Sequence, residues 1–200
     1  MKKSILVISL VLMLVLSLVL LTGCGENSEK TNNSGNAPQT QQSKGNYDVF
    51  EAIKKIETTT TFEDVNKLLG FEGTLKSESD ANSTLSYKKY RWDLTDDTAI
   101  EVTIYDKDNS ANIVAIYPSD MIKNEKVDFS KVNSEMKKKI NEKDGMTYDQ
   151  VVEMLGGVQG TLDKKTDRDE AYVWVNAQRG SLTVRFDTST GKVTSFNGVF

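Results

Sequence analysis

The sequence predicts an α+β fold in which two tandem helix–helix–antiparallel-sheet repeats form one curved sheet with helices on one face. Three observations lead to this prediction. A stretch near residue 61 recurs near residue 147, helical periodicity precedes strand-like alternation in both places, and a polar region separates this part from the N-terminus. Helices followed by an antiparallel meander are typical of a sheet that is covered on one face.

The chain divides into four segments by composition and pattern. Residues 1–23 are predicted to be a lipoprotein signal peptide, and residues 24–46 a lipidated cysteine with a disordered linker. The first repeat is predicted to span residues 47–122 and the second residues 123–200. The linker after Cys24 contains no Val, Ile, Leu or aromatic residue, so it has no apolar surface to offset the entropy of an ordered backbone.

The N-terminus has the three parts of a secretory signal. Lys2 and Lys3 precede an apolar run over residues 4–21, and small residues follow just before Cys24. The run is also near the lower length limit of a spanning helix, so an uncleaved anchor is the alternative.

The residues around Cys24 resemble the lipobox of bacterial lipoproteins, since they read Leu-Thr-Gly-Cys over residues 21–24. The resemblance implies transfer of a diacylglyceryl group to the Cys24 thiol and cleavage between Gly23 and Cys24. We therefore expect a protein that is lipid-anchored to the cell membrane on the extracytoplasmic side, with the lipid bilayer as one partner.

Composition excludes several function classes. The chain has 25 basic and 29 acidic residues, a net charge of −4, no histidine and one cysteine. This acidity argues against sequence-independent nucleic-acid binding, which needs a basic surface. Histidine-based triads, Cys/His zinc sites and internal disulfides are excluded by the residue counts. We predict no catalytic residue, no metal and no cofactor.

The repeat begins with a capped helix. Residues 61–70 (TFEDVNKLLG) match residues 147–156 (TYDQVVEMLG). Thr61 and Thr147 are expected to N-cap their helices, and Gly70 and Gly156 lie where a helix ends in a left-handed residue.

An earlier helix and three strands complete each repeat. The earlier helices are predicted from apolar residues at helical spacing, Val49 to Ile56 in the first repeat and Val132 to Ile140 in the second. The predicted strands are residues 90–94, 100–104 and 113–117, and residues 172–174, 182–186 and 193–196. Trp92 and Trp174 occupy equivalent positions and are expected in the core. Four acidic residues are expected to form a solvated loop: Asp163, Asp167, Asp169 and Glu170.

These residues together suggest a family. Residues 145–151 (GMTYDQV), followed by Leu-Gly-Gly at 155–157 and Tyr-Val-Trp at 172–174, resemble the repeat of the β-lactamase-inhibitor-protein-like superfamily. That group includes the small lipoprotein of the outer-membrane β-barrel assembly machinery. The resemblance implies two units whose sheets join into one curved surface that can grip a protein. In the inhibitor, acidic residues of a sheet hairpin enter the enzyme; the positional equivalent here is the turn with Asp106 and Asp108.

The candidate site is the strand face that points away from the helices. Mixed charge, tyrosine and valine on one sheet face are suited to protein recognition. The predicted contact residues are Lys89, Arg91, Tyr105, Val173, Val175 and Arg185. The alternative is a plain solvated face, which antiparallel sheets commonly have.

The function we predict is a membrane-anchored, non-catalytic module of the cell envelope that binds an unknown envelope protein. A structural or sensing role, at the cell wall or in an assembly complex, is the alternative. A β-lactamase inhibitor and a small hydrolase are less favoured. Nucleic acid is not an expected partner.

Overall fold

The protein is described here by a computed structural model covering residues 47–79, 85–130, 132–140 and 145–199. The predicted signal peptide, the Cys24 lipidation site and the linker of residues 24–46 lie outside the described residues. The described residues belong to one compact unit. None of the helices within the described ranges is long and apolar enough to cross a bilayer.

The described residues alternate twice between short helices and strands. The strands are β1 (Thr74–Glu78), β2 (Tyr87–Asp93), β3 (Ala99–Tyr105), β4 (Ala111–Ile116), β5 (Thr161–Lys165), β6 (Asp169–Val175), β7 (Ser181–Asp187) and β8 (Val193–Val199). The helices are α1 (Val49–Lys55), α2 (Phe62–Leu69), α3 (Lys137–Ile140) and α4 (Tyr148–Met154), with a 3-10 turn at Ser119–Met121 and a π-helical stretch at Val132–Met136. The predicted mixed α+β class is confirmed.

All eight strands form one open, curved antiparallel sheet in chain order. The sequence predicted three strands in each half, and the structure adds β1 and β5. Neither strand alternates apolar and polar residues: β1 is Thr-Leu-Lys-Ser-Glu, exposed throughout, and β5 is Thr-Leu-Asp-Lys-Lys. A period-two pattern cannot detect such strands, because it depends on one buried face.

Both predicted helix caps are present. The Thr61 hydroxyl accepts a hydrogen bond from the Asp64 backbone N–H at 3.2 Å, and the Asp64 side chain accepts from the Thr61 N–H at 3.1 Å. Thr147 makes the equivalent capping box at α4. Gly70, at φ 75°, ends α2 in the left-handed conformation, and Gly156, at φ 81°, follows α4. These caps fix where both helices begin and end.

The helices pack on one face of the sheet over two clusters of buried apolar side chains. The first cluster contains Trp92 and the second contains Trp174. These rings are 0% and 1% exposed, so their predicted place in the core is confirmed. Tyr172 packs against both clusters and connects them.

The backbone of a glycine packs directly against each tryptophan ring. A Cβ built on Gly73 would lie 2.4 Å from Trp92 Cε2, and one built on Gly160 would lie 2.5 Å from Trp174 Cζ2. Carbon atoms pack at about 3.5–4.0 Å, so neither position has room for a side chain.

The indole N–H groups are bonded differently in the two halves. Trp92 Nε1 donates to Asn66 Oδ1 at 2.9 Å, and the same oxygen accepts from the Gly73 backbone N–H at 3.0 Å. Trp174 Nε1 donates instead to the Val158 carbonyl at 2.8 Å. Asn66 therefore serves two donors in the first half.

The two halves of the sheet meet at a narrow joint between β4 and β5. Only two residue pairs form it: Ile113 with Lys165, and Val114 with Lys164. Two side chains of β5 reinforce the joint, since Leu162 packs into the first cluster and Lys165 Nζ donates to the Ile56 carbonyl at 3.1 Å.

Candidate protein-binding face

The outer face of the sheet is the one opposite the helices, and one row of register partners crosses it from edge to edge. The row consists of Thr74, Arg91, Glu101, Val114, Lys164, Ala171, Arg185 and Ser195. Side chains alternate between the faces of a strand, so this row lies opposite the two apolar clusters. Basic and acidic groups both occur in it.

A network of ion pairs links the charged side chains in the first half of this face. Arg91 Nε lies 2.7 Å from Asp93 Oδ1, and Arg91 Nη1 lies 3.4 Å from Glu101 Oε1. Lys89 Nζ lies 3.3 Å from the other Glu101 oxygen. The hydrogen bond to Asp93 is the main cause that raises the pKa of Arg91. Partly exposed pairs of this kind contribute about 0–1 kcal/mol each, so their main effect is to position the charged groups.

The second half carries a smaller arrangement of the same kind. Arg185 Nη1 lies 3.4 Å from Asp169 Oδ1. The exposed fractions of the Lys89, Arg91 and Arg185 side chains are 39%, 27% and 41%. The structure thus places these three predicted residues on the outer face, within reach of solvent.

Tyr105 and Val173 also lie on the outer face and are half-buried. The Tyr105 ring is 6.3 Å from that of Tyr87 on the neighbouring strand. Val173 is the register partner of Thr161 on one side and Thr183 on the other.

Val175 does not belong to an accessible surface, so the expectation that it is exposed on the open face is wrong. Its exposed fraction is 4%. The segment between the two halves runs beside it: Lys123 forms a parallel bridge with Val175, and the Asn124 N–H donates to the Val175 carbonyl at 2.8 Å. Because β5 begins only at Thr161, this segment takes the place beside the end of β6.

The predicted hairpin turn ends the face at one side, and its two carboxylates are exposed. The Ser86 hydroxyl donates to Asp106, and the Asp106 N–H donates to the Ser86 carbonyl at 3.0 Å. Asp108 Oδ1 accepts from the Ser110 N–H at 3.0 Å. Hydrogen bonds from Ser110 lower the pKa of Asp108. Both carboxylates therefore help to shape the turn.

A hollow of about 390 Å³ lies between this turn and the β5–β6 turn, and sequence reasoning missed it. Tyr105, Asn112, Lys164 and Asp169 contribute to its lining. Asn112 Oδ1 is buried and has no hydrogen-bond partner among the described residues. The hollow exists because β4 and β5 pair over only two residue pairs. Sequence reasoning missed it because the residues of β5 do not alternate between apolar and polar.

Asp163 corrects the expectation of a solvated acidic loop. It lies within β5, while Asp169 and Glu170 begin β6. Burial raises the pKa of Asp163, and nearby Tyr117, Arg185 and Lys164 act in the opposite direction. The joint between the halves thus contains a partly buried carboxyl group whose pKa is raised above its usual value.

Asp163→Asn is expected to raise the melting temperature at neutral pH. The folded-state pKa of Asp163 lies above its unfolded value, so the favourable contribution of the protonated form is complete below the unfolded pKa and is lost as the pH rises through the folded pKa. The rise in melting temperature caused by Asp163→Asn should therefore disappear at acidic pH. Thermal unfolding at both pH values tests this, with Asp167→Asn in the exposed turn as the matched control. A gain that is equal at both pH values would contradict the titration argument.

Metal ligands are not grouped in the part of the chain that the structure describes: no three His, Cys, Asp or Glu side chains there could hold an ion together. Comparison of the chain with protein-family models, with curated proteins and with solved structures gives no match. What the outer face offers is a set of positioned charges, tyrosines and valines on a hydrogen-bonded sheet.

Proposed function

We propose that this protein is a lipid-anchored component of the cell envelope that binds another protein through the outer face of its sheet. The observation that carries the proposal is the row of side chains that crosses all eight strands opposite the helices. Three of its charged members, Arg91, Glu101 and Arg185, are already held by ion pairs, so less side-chain entropy is lost when a partner binds. Complementary charge on a partner would set orientation and speed association.

The proposal includes a two-copy architecture, with residues 47–122 and 123–200 as copies of one unit. Each half has a capping-box helix and a glycine against a tryptophan. The first strand of each half is bulged, between Leu75 and Ser77 in β1 and between Leu162 and Lys164 in β5. Such coincident details support descent from one unit.

The proposed anchor is a diacylglyceryl group on Cys24. One acyl chain holds a protein only marginally, whereas two chains, at about 0.8 kcal/mol per buried methylene, give stable attachment. The polar residues 25–46 would then act as a tether with a reach of roughly 25 Å.

Cys24→Ala is expected to abolish lipid labelling and leave a partly uncleaved precursor. The thiol is the atom to which the lipid would be joined, and no other cysteine is present. Metabolic labelling with a radioactive fatty acid and the size of the product are the measurements. Cys24→Ser is the matched control for side-chain size and should fail in the same way. Normal labelling of either variant would contradict the anchor.

Site-specific photo-crosslinking in intact cells tests the binding face directly. A photoreactive residue at Thr103 or Thr183, which share the outer face but lie in different halves, should capture the same protein. The same group at Lys138, exposed on α3, is the control and should not. Capture from Lys138 alone would place the site on the helices. Cell-wall sedimentation without any crosslinked protein would favour the structural role.

Arg91→Glu combined with Arg185→Glu is expected to weaken this capture strongly, because it reverses two positioned charges, one in each half. Lys88→Glu with Lys138→Glu changes the net charge equally at exposed sites away from the outer face and should leave capture intact. The comparison is read from crosslinked product at Thr103, with thermal unfolding showing that both variants fold. Equal loss in the two variants would indicate a general charge effect and contradict a specific face.

A further inference from the structure

We propose that copies of this protein associate head to tail through the edges of their sheets, with β8 of one copy pairing antiparallel with β1 of the next. This inference rests on the equivalence of the two halves proposed above. It does not depend on partner binding by the outer face. The joint between copies would repeat the joint between β4 and β5 inside each chain.

The first observation concerns β1, which lies at one edge of the sheet. Its bulge between Leu75 and Ser77 falls at the position of the β5 bulge between Leu162 and Lys164. Bulges and charged residues usually protect an edge strand from pairing. Yet β5 has both features and still pairs with β4 on its other side. The same features in β1 are therefore compatible with an incoming strand.

The second observation is the contrast between two equivalent leucines. Leu162 is 6% exposed, because it packs into the core of the half before it. Leu75 is 46% exposed, and the described residues, which begin at Tyr47, contain no half before it. Burying the exposed apolar area of a leucine is favourable. Leu75 would be covered if the last strand and helices of another copy lay beside β1.

The third observation concerns β8, the opposite edge. The first residue of β4 is held by the helix–helix loop, since the Ala111 N–H donates to the Thr58 carbonyl at 2.7 Å. The first residue of β8 is held in the same way, because the Val193 N–H donates to the Met146 carbonyl at 2.9 Å. Beyond this point β4 accepts β5, whereas β8 has no further strand among the described residues. Val199 at its end is 74% exposed.

The internal joint also predicts the register. By their partners on β7, Phe196 and Asn197 correspond to Ile113 and Val114 of β4. By their partners on β2, Ser77 and Glu78 correspond to Lys164 and Lys165 of β5. The expected contacts are Asn197 with Ser77 and Phe196 with Glu78.

Charge does not oppose this pairing, because β8 contains no charged residue and Lys76 and Glu78 of β1 carry opposite charges. The contact joins two different edges, so it is heterologous and can extend to more than two copies. A joint of two residue pairs is small, and association is expected mainly where anchored copies are concentrated on a membrane.

Disulfide crosslinking of the full-length protein in its membrane tests the proposal. Ser77→Cys combined with Asn197→Cys should give dimers and larger species on mild oxidation, since paired strand residues fall within disulfide range. Neither single variant should do so. The parent chain, whose only cysteine is Cys24, is the background control, and Ser77→Cys with Ser189→Cys in the exposed β7–β8 turn is the control for chance collision.

Each outcome decides the question. Crosslinks in the paired variant that disappear when Leu75→Asp is added support the joint, because this exposed residue can change without disturbing the core. Dimers from Ser77→Cys alone would show a symmetric edge contact and overturn the head-to-tail arrangement. Equal crosslinking with Ser189→Cys, or none at all, would overturn it as well. Loss of partner capture by the outer face would bear on the proposed function and leave these results unaffected.

Discussion

Gly160→Ala is expected to lower the free energy of unfolding by about 3 kcal/mol, the upper end for overpacking a core. The added methyl carbon would lie 2.5 Å from Trp174 Cζ2. The ring cannot move away easily, because it is 1% exposed and its Nε1 is bonded to the Val158 carbonyl. Urea unfolding of residues 41–200, whose described part forms one compact unit, is the measurement.

A double-mutant cycle identifies the cause. In a Trp174→Leu background the colliding ring atoms are gone, so the cost of Gly160→Ala should fall well below its value in the parent chain. An equal cost in both backgrounds would show that the backbone, and not the ring, requires glycine. Gly73→Ala opposite Trp92 should behave in the same way, since the separation there is 2.4 Å.

Asn66→Ala is expected to lower the free energy of unfolding by about 2–4 kcal/mol. One side-chain oxygen serves both the Trp92 indole and the Gly73 backbone N–H, and a buried donor that loses its acceptor costs about 1–3 kcal/mol. Asn66→Asp keeps an acceptor oxygen in the place of Asn66 Oδ1 and is the matched control, which should retain most of the stability. Urea unfolding compares the two variants. An Asp variant as unstable as the Ala variant would show that the amide group is needed for another reason.

Local patterns in the sequence predicted the parts of the fold that local interactions determine. The capping threonines and the glycines after α2 and α4 are such cases, because a cap involves residues only a few positions apart. The buried tryptophans were also predictable, since they share an alternating face with other apolar residues. Lys89, Arg91 and Arg185 were placed correctly on the outer face for the same reason.

The errors arise where distant segments meet. Val175 was expected to be exposed, and it is covered because residues 123–124 run beside the end of β6. Asp163 was expected in a solvated loop, and burial at the joint raises its pKa. Both errors depend on β5, whose residues do not alternate between apolar and polar. No local pattern could have placed Asn112 beside Lys164 in the hollow.

The row of register partners on the outer face indicates how large a contact surface this face can offer. Strands lie about 4.8 Å apart and rise about 3.3 Å per residue, so eight strands of about seven residues make a platform of roughly 34 by 23 Å. That is close to the 800 Å² or so that each partner contributes to a standard protein–protein interface. A partner that used the whole platform would span both halves at once, so its footprint would have to bridge the two-pair joint. Binding by such a partner would therefore clamp the two halves into one rigid body.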